Sequence, residues 1–493
     1  MKINKYILQG IIGLMALGLF SCNSSQTNKK TEGVKENVKP NIIYILADDA
    51  GYGDLGCYGQ TRFETPNLDK LAERGMRFTQ HYSGSTVCAP SRSSLLTGQH
   101  TGHTPVRGNK EVKPEGQHPM PSSSVTIAEV MKRAGYVTGA FGKWGLGFPG
   151  SEGDPNMQGF DEFYGYNCQR MAHRYYPPYL WHNQEKIDMP GNDWTKTVTY
   201  AQDEIQKETL KFIENNKDES FFAFVPIVIP HAELIAPDDS ILAKYDGKFN
   251  ETAYEGTEGA AYGDDFVIHK YCPQEKPRAT FAAMMYRMDV YVGQIVTKLK
   301  ELGIEENTIV MFASDNGPHQ EGGADPDFFN SNGGLRGYKR DLYEGGIRSP
   351  FIVSWPGTVK AGSVSNHISA FWDVLPTCAE LAGVQETVEN DGISFVPELL
   401  GKEQPKHEYL YWEFHEKGGR LAVRMDNWKG VVYNVAKPNK TTFELFDLDN
   451  DVSEQTDVSK KNPEVVNKIK DILKVARTES DVFKFKAGTL SGH

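Results

Sequence analysis

The sequence predicts an α/β fold: a large, mostly parallel sheet sandwiched by helices, followed by a smaller C-terminal α+β subdomain carrying an antiparallel sheet. Three observations carry this. Over residues 41–375, apolar runs rich in β-branched residues alternate with amphipathic stretches, the pattern of parallel strands joined by helices that cover both faces. At 493 residues the chain is also several times an average domain, which leaves room for a second lobe. Beyond Leu381, short alternating strands replace the long units.

Residues 1–21 stand outside this fold. Lys2 and Lys5 form a basic leader, Ile7 to Phe20 an apolar run, and Leu19-Phe20-Ser21-Cys22 closes it like a bacterial lipoprotein signal, with Cys22 the lipidated residue. Residues 22–40 are polar and mixed in charge, the composition of a flexible lipidated tether. The folded part is therefore expected outside the cytoplasm, anchored to a bacterial membrane on the periplasmic side or at the cell surface. Its partners then include the lipoprotein processing machinery and, through the lipid anchor, the membrane.

Within residues 41–375, Asn41 to Ala47 is an uncharged run and reads as a buried strand. Asn67 to Arg74 and Ser124 to Ala134 carry apolar residues at helical spacing, and Tyr136 to Phe141 is a second strand. A long helix over Val198 to Asn215 precedes strand Phe221 to Ile229; helix Arg278 to Leu302 precedes strands Thr308 to Phe312 and Phe351 to Trp355. Phe371 to Leu381 closes the alternation. The subdomain over 376–493 has strands at Tyr409 to Phe414 and Trp428 to Tyr433 and a terminal helix near Pro463 to Ala476.

Composition narrows the function. With 39% hydrophobic and 24% charged residues the chain is globular, and a formal charge of −12 argues against nucleic acid as a partner. Aromatic residues at 11% suit a carbohydrate or aryl ligand. Cys57, Cys88, Cys168, Cys272 and Cys378 form no C-x-x-C pair, and no histidine stands at zinc-finger spacing. With Cys88 reserved for chemistry, the other four leave three disulfide pairings open.

In an open α/β sheet, ligands gather beyond the carboxyl ends of strands. Asp48 and Asp49 follow the first strand, and Asp315 and Asn316 follow Thr308 to Ala313. Three carboxylates and an amide, with no imidazole or thiolate, make a hard oxygen set for Ca²⁺ or Mg²⁺. Adjacent carboxylates also repel each other unless a cation lies between them. Pro90 suits a first helical turn and Gly98 a helix end, which puts Cys88 at a helix N-terminus, where an anion is favoured.

Cys88-Ala89-Pro90-Ser91-Arg92, continuing to Leu96-Thr97-Gly98, resembles the C-x-P-S-R-x-x-x-L-T-G signature of the type I sulfatases, members of the alkaline phosphatase superfamily. Gly135-Tyr136-Val137-Thr138 through Gly142-Lys143-Trp144-Gly145 is similar to a second signature, departing at its last position, where Gly145 replaces a histidine. Asp48 to Asp54, Thr65 to Asp69, Ser314 to Gly317 and Gly345 to Arg348 extend the likeness, which includes carbohydrate sulfatases of Bacteroidetes and arylsulfatase A-like enzymes.

The resemblance implies an alkaline-phosphatase-like fold and a hydrolase of sulfate esters. It implies that Cys88 is oxidised to formylglycine by a maturation enzyme before folding. Asp48, Asp49, Asp315 and Asn316 would hold one Ca²⁺ (Mg²⁺ as the other choice), with the modified Cys88 supplying a further oxygen. Arg92 would fix the formylglycine, and Lys143, His231 and Lys339 would contact the sulfate. One hydroxyl of the hydrated aldehyde would attack sulfur, and His231, when protonated, would donate to the leaving oxygen. Gly145 leaves a gap for His100, His103, another group or the substrate itself. Outside the motifs, His173, Arg174 and His319, with Tyr175, Tyr176 and the loop around Glu321 to Phe329, are polar or aromatic groups able to contact a sugar.

By analogy the substrate is expected to be a sulfated galactose or N-acetylgalactosamine unit of a host or algal glycan, glycosaminoglycans among them. Two other readings compete with it: a phosphatase or phosphodiesterase of the same superfamily, and a non-catalytic lipoprotein that binds sulfated glycans. Cys88 in place of serine or threonine, and Asn316 where a zinc-binding histidine would stand, count against the first. The second does not require a nucleophile, Arg92 and a metal set together.

Overall fold

The computed structural model describes residues 39–256, 271–385 and 388–485. The leader, Cys22 and the tether up to Val38 lie outside the described residues. The Asn41–Asp48 strand runs through the middle of the main sheet, parallel to Thr308–Ser314 on one side and Phe221–Pro230 on the other. All of its residues are buried. Ile43 and Ile45 enter one apolar core while Ile42, Tyr44 and Leu46 enter another on the opposite face, as the two-residue period of a strand requires. A strand covered on both faces has no use for polar alternation.

From Phe221–Pro230 the sheet continues in parallel through Val137–Lys143 and Glu162–Tyr166, then turns antiparallel at Tyr179–His182 and Glu185–Asp188. On the other flank Arg348–Ser354 runs antiparallel to Thr308–Ser314, and Met76–Tyr82 antiparallel to Arg348–Ser354. The centre is parallel and the margins are mixed. Helices Pro66–Arg74, Ala201–Asn215 and Pro277–Glu301 cover one face, the last through Met284, Met285, Met288 and Val292. Helices Cys88–Thr97, Ile127–Arg133 and Val374–Leu381 cover the other through Leu95, Leu96, Ile127, Met131 and Leu375.

Two helices start later than their apolar spacing suggests, because side chains capture the N–H groups ahead of them. The Thr126 hydroxyl accepts from Glu129 N at 3.2 Å and the Glu129 carboxylate from Thr126 N at 2.9 Å, a reciprocal cap that sets the first helical residue at Ile127. Asn192 Oδ1 takes the N–H groups of Val198 and Thr199 at 3.0 and 2.9 Å, which holds them in a loop and starts that helix at Ala201.

Strands Leu410–Phe414, Arg420–Met425, Trp428–Tyr433 and Thr442–Asp447 form a separate antiparallel sheet in sequence order. Helix Pro463–Val475 lies on one face through Val465, Ile469 and Leu473, one stripe at four-residue spacing. The other face packs Trp412 against Trp372 and Tyr82 of the main body, ring centroids 5.7 and 5.4 Å apart. Beside this contact Lys429 Nζ lies 2.9 Å from both Glu344 and Glu454, and Arg348 Nε 2.7 Å from Glu344. Cys57, Cys88, Cys168, Cys272 and Cys378 are free thiols, so none of the open pairings is formed.

Candidate active site

Strand order brings four segments to one spot. The Asn41–Asp48 strand ends in Asp48, and Asp49 then adopts a left-handed conformation, φ 68°, that a short polar side chain tolerates. Asp315 N continues the ladder to Ala47 O at 3.0 Å, and Asp49 N donates to Asp315 Oδ1 at 3.1 Å. Asn316 Nδ2 donates to Asp49 Oδ1 at 2.6 Å. Asp48, Asp49, Asp315 and Asn316 thereby meet in a space closed to water.

Cys88 opens helix Cys88–Thr97 and is buried. Its Sγ lies 3.4 Å from Asp48 Oδ1 and 3.4 Å from Lys143 Nζ, while Lys143 Nζ, at the end of its strand, donates to Asp48 Oδ2 at 2.6 Å. One helical turn beyond Cys88, Arg92 forks onto Asp315 Oδ2 at 3.1 and 2.8 Å through Nε and Nη2 and donates to Lys143 O at 2.6 Å. Ser91 Oγ ties the same turn to Asp315 O at 2.5 Å. The helix bearing Cys88 is thus pinned to the strand ends that carry the acids.

Lys339 closes the other side. Its Nζ lies 2.8 Å from Asp49 Oδ2, 3.0 Å from Glu321 Oε2 and 3.0 Å from His231 Nε2. His231 follows the Phe221–Pro230 strand and donates from Nδ1 to Ala232 O, which leaves Nε2 as the acceptor facing Lys339. Burial, with Lys339 close by, brings His231 down to about 4, so the ring is neutral at pH 7. Burial raises the Asp48 and Asp49 carboxyls, yet the charges of Lys143 and Arg92 beside Asp48, and of Lys339 beside Asp49, hold both below the usual range. Burial and Asp48 push the Cys88 thiol well up, so an unmodified thiol here stays protonated and is a poor nucleophile.

The donor set fits a hard divalent cation. Burial and the charge of Asp48 push Asp315 up to about 7, and Asn316 Oδ1 is buried with no partner in the protein. A cation held by Asp48, Asp49, Asp315 and Asn316 would relieve both. Among the described residues, Asp48, Asp49, Cys88 and His231 present ligand atoms within 4.8 Å of one another.

Of the remaining residues singled out from sequence, His173 and His319 stand at the site. Both stack on His231, with centroids 4.4 and 5.6 Å away. Arg174 instead turns into a buried ion pair with Glu233, with Cys272 Sγ 3.3 Å away. His100 and His103 lie beyond the far end of the Cys88–Thr97 helix, where His103 Nδ1 pairs with Asp391 at 2.9 Å and the two rings stack at 4.4 Å. Neither fills the gap at Gly145. That gap is occupied by Gln169: Gly145 has φ +80°, and a Cβ there would stand 2.9 Å from Gln169 Nε2 and 3.0 Å from its Cγ. Sequence reasoning missed Gln169 and took Glu321 only as a loop residue, because neither belongs to a motif or follows a run that reads as a strand.

The helix that opens at Cys88, pinned to a ring of strand-end acids and flanked by cations, belongs to a sulfuric ester hydrolase, as the relatives of this chain show. The chain belongs to the sulfatase family: the family model described as Sulfatase matches residues 40–384, and a second, described as N-sulphoglucosamine sulphohydrolase, C-terminal, matches residues 336–479. It is 35% identical over 417 residues to an arylsulfatase of Hemicentrotus pulcherrimus, covering 80% of this chain and 67% of that one. To human arylsulfatase A the identity is 33% over 427 residues, covering 82% and 76%. To an N-acetylgalactosamine-6-O-sulfatase of Bacteroides thetaiotaomicron it is 30% over 515 residues, covering 93% and 97%. Among solved structures, that of Ps i-CgsB superposes with a TM-score of 0.75 at 29% identity, covering 91% of this chain and 95% of the other. A phosphonate monoester hydrolase of Agrobacterium radiobacter shares the fold at a TM-score of 0.59, with 19% identity and 88% and 95% coverage. Family membership sets the chain apart from the phosphatase and binding-protein readings.

Proposed function

We propose that the protein removes sulfate from galactose or N-acetylgalactosamine units of glycans, using formylglycine derived from Cys88 and one Ca²⁺, while tethered through Cys22 outside the cytoplasm. The observation that carries this is the placement of Cys88: buried at a helix start, within 3.4 Å of both Asp48 and Lys143, with its thiol held protonated. Such a thiol suits a residue that works only after modification. Formylglycine, as its hydrate, supplies a hydroxyl oxygen to attack sulfur. Ca²⁺ on Asp48, Asp49, Asp315 and Asn316 would supply positive charge that favours the ionised form of that oxygen.

The chain's own groups do the rest. Arg92 fixes the helix turn and the Asp315 carboxylate, and Lys143 and Lys339 present ammonium groups to the sulfuryl oxygens. Neutral His231 accepts from Lys339 at Nε2, which fixes the direction of the Lys339 ammonium. The sugar assignment is supported by relatives named as N-acetylgalactosamine sulfatases in Bacteroides thetaiotaomicron and dog, and by a solved structure of Ps i-CgsB with a neocarrahexaose. The location outside the cytoplasm is supported by the basic leader, apolar run and Cys22.

The test is sulfate release from a panel of sulfated mono- and oligosaccharides by protein matured with a formylglycine-generating enzyme, beside Cys88→Ala. Release from galacto-configured members that disappears in the variant supports the reading. Release confined to gluco-configured members overturns the sugar assignment, and equal release by Cys88→Ala overturns the role of residue 88.

A further inference from the structure

We infer that Gln169 and Asn167 form a neutral hydrogen-bonding wall that orients the sulfuryl group at residue 88. The inference deepens the proposed reaction and rests on residue 88 being its site. Lys143 Nζ, 3.4 Å from Cys88 Sγ, marks the end of the Val137–Lys143 strand, and Gly145 follows two residues later. Gly145 N donates to Asn167 O at 3.0 Å, so the segment after the neighbouring Glu162–Tyr166 strand is laid directly against it. Because residue 145 has no side chain, the Gln169 carboxamide occupies the space a Cβ would enter.

These amides are buried without partners. Gln169 Nε2 makes no hydrogen bond in the protein, and neither Nδ2 nor Oδ1 of Asn167 makes one, although Asn167 is fully buried and Gln169 only 6% exposed. Closed-off amide groups without partners destabilise a fold, and most buried polar groups have a partner. Three such atoms on two residues of one short segment, which backs onto the Lys143 strand end through Gly145, are explained by a ligand that completes them. Gln169 Nε2 and Asn167 Nδ2 are donors and match sulfuryl oxygens, which only accept; Asn167 Oδ1 matches a hydroxyl of the sugar or of residue 88. Carboxamides neither gain nor lose a proton near neutral pH, so this wall positions the anion without adding a titrating group.

The test compares wild type, Gln169→Leu and the isosteric Gln169→Glu as purified matured proteins. Three readouts are taken: affinity for inorganic sulfate by calorimetry, kcat and KM on a sulfated substrate, and Tm. Gln169→Leu is expected to weaken sulfate binding about tenfold, the loss of one charge-assisted hydrogen bond, with Tm unchanged or raised because an unpaired donor is gone. Gln169→Glu is expected to weaken it further, since a carboxylate faces the anion. A purely structural role predicts the opposite signature, a lower Tm with unchanged sulfate affinity, and that result overturns the inference. Wild type that fails to bind sulfate at millimolar concentration also overturns it. Wild type that binds sulfate with the expected Gln169 dependence but releases none from any ester leaves this wall standing and removes the hydrolytic reading instead.

Discussion

At the carboxyl ends of the central strands, Asp48, Asp49 and Asp315 face Lys143, Lys339 and Arg92, whereas at the junction with the C-terminal sheet Glu344 and Glu454 face Lys429 and Arg348. Both clusters are buried, and each contains one carboxyl pushed up to about 7: Asp315 by burial and Asp48, Glu454 by burial and Glu344. They differ in what the neighbouring atoms do. At the junction Glu344 is satisfied within the chain, by Lys429, Arg348 and the Tyr82 hydroxyl, and Glu454 accepts from Glu344 N at 2.6 Å. At the strand ends Asn316 Oδ1, both amide atoms of Asn167 and Gln169 Nε2 have no partner in the protein. Glu454 Oε1 at the junction also lacks a hydrogen bond, but Lys429 Nζ stands 2.9 Å from it as a counter-charge. Charge burial alone therefore does not mark the functional region; what sets the strand ends apart is uncompleted amide atoms on Asn167, Gln169 and Asn316 that no charged group among the described residues pairs with.

If that contrast is right, removing a charge at the strand ends costs function, and removing one at the junction changes only stability. The largest effect is expected for Lys339→Met, which takes away the ammonium shared by Asp49, Glu321 and His231. A fall in kcat/KM of roughly 10²–10³-fold is expected with the fold retained, read by steady-state kinetics and circular dichroism. A fall below tenfold would break the comparison.

The next effect concerns the cation. The proposed Ca²⁺ would bind the folded chain alone, so at a hundredfold excess over its dissociation constant it should stabilise by about 2.7 kcal/mol, seen as a rise in Tm that a chelator reverses. Asp315→Asn should cut that rise by at least half while leaving Arg92 its contact with Lys143 O. An equal rise in wild type and variant would remove Asp315 from the metal set.

The smallest effect lies at the junction. Glu454 keeps its proton up to about 7 in the fold but loses it near the ordinary value of 4.5 in the unfolded chain. Between those values the folded state binds more protons, so stability contributed here falls as pH rises from about 4.5 to 7. Glu454→Gln should flatten that part of a Tm profile without altering kcat. A profile as steep as wild type would show that the junction does not titrate there.

How much could be read in advance follows the same division. Asn41 to Ala47 was legible because a doubly covered parallel strand is continuously apolar, and Asp48, Asp49, Asp315 and Asn316 were legible because such strands end at ligands. Met76–Tyr82 was not: it lies toward a margin and alternates Arg77, Thr79 and Gln80 with buried residues. Glu162–Tyr166 is short and mixed, and with it Asn167 and Gln169 escaped notice. Their significance depends on the space beside Gly145 and on the lack of partners, which are properties of the packed molecule. His100 and His103 were visible as residue types, but only the fold shows that Asp391 holds them at the other end of the helix.

The central claim, that residue 88 in modified form is the reacting group, is tested most directly by relating activity to conversion. Peptides spanning Cys88 to Arg92 would be weighed in preparations matured to different extents, and sulfate release measured on each. Conversion of the thiol to the aldehyde lowers the peptide mass by about 18 Da. Release should rise in proportion to the converted fraction and be lost when none is converted. Full activity in a preparation whose residue 88 is still cysteine would contradict it.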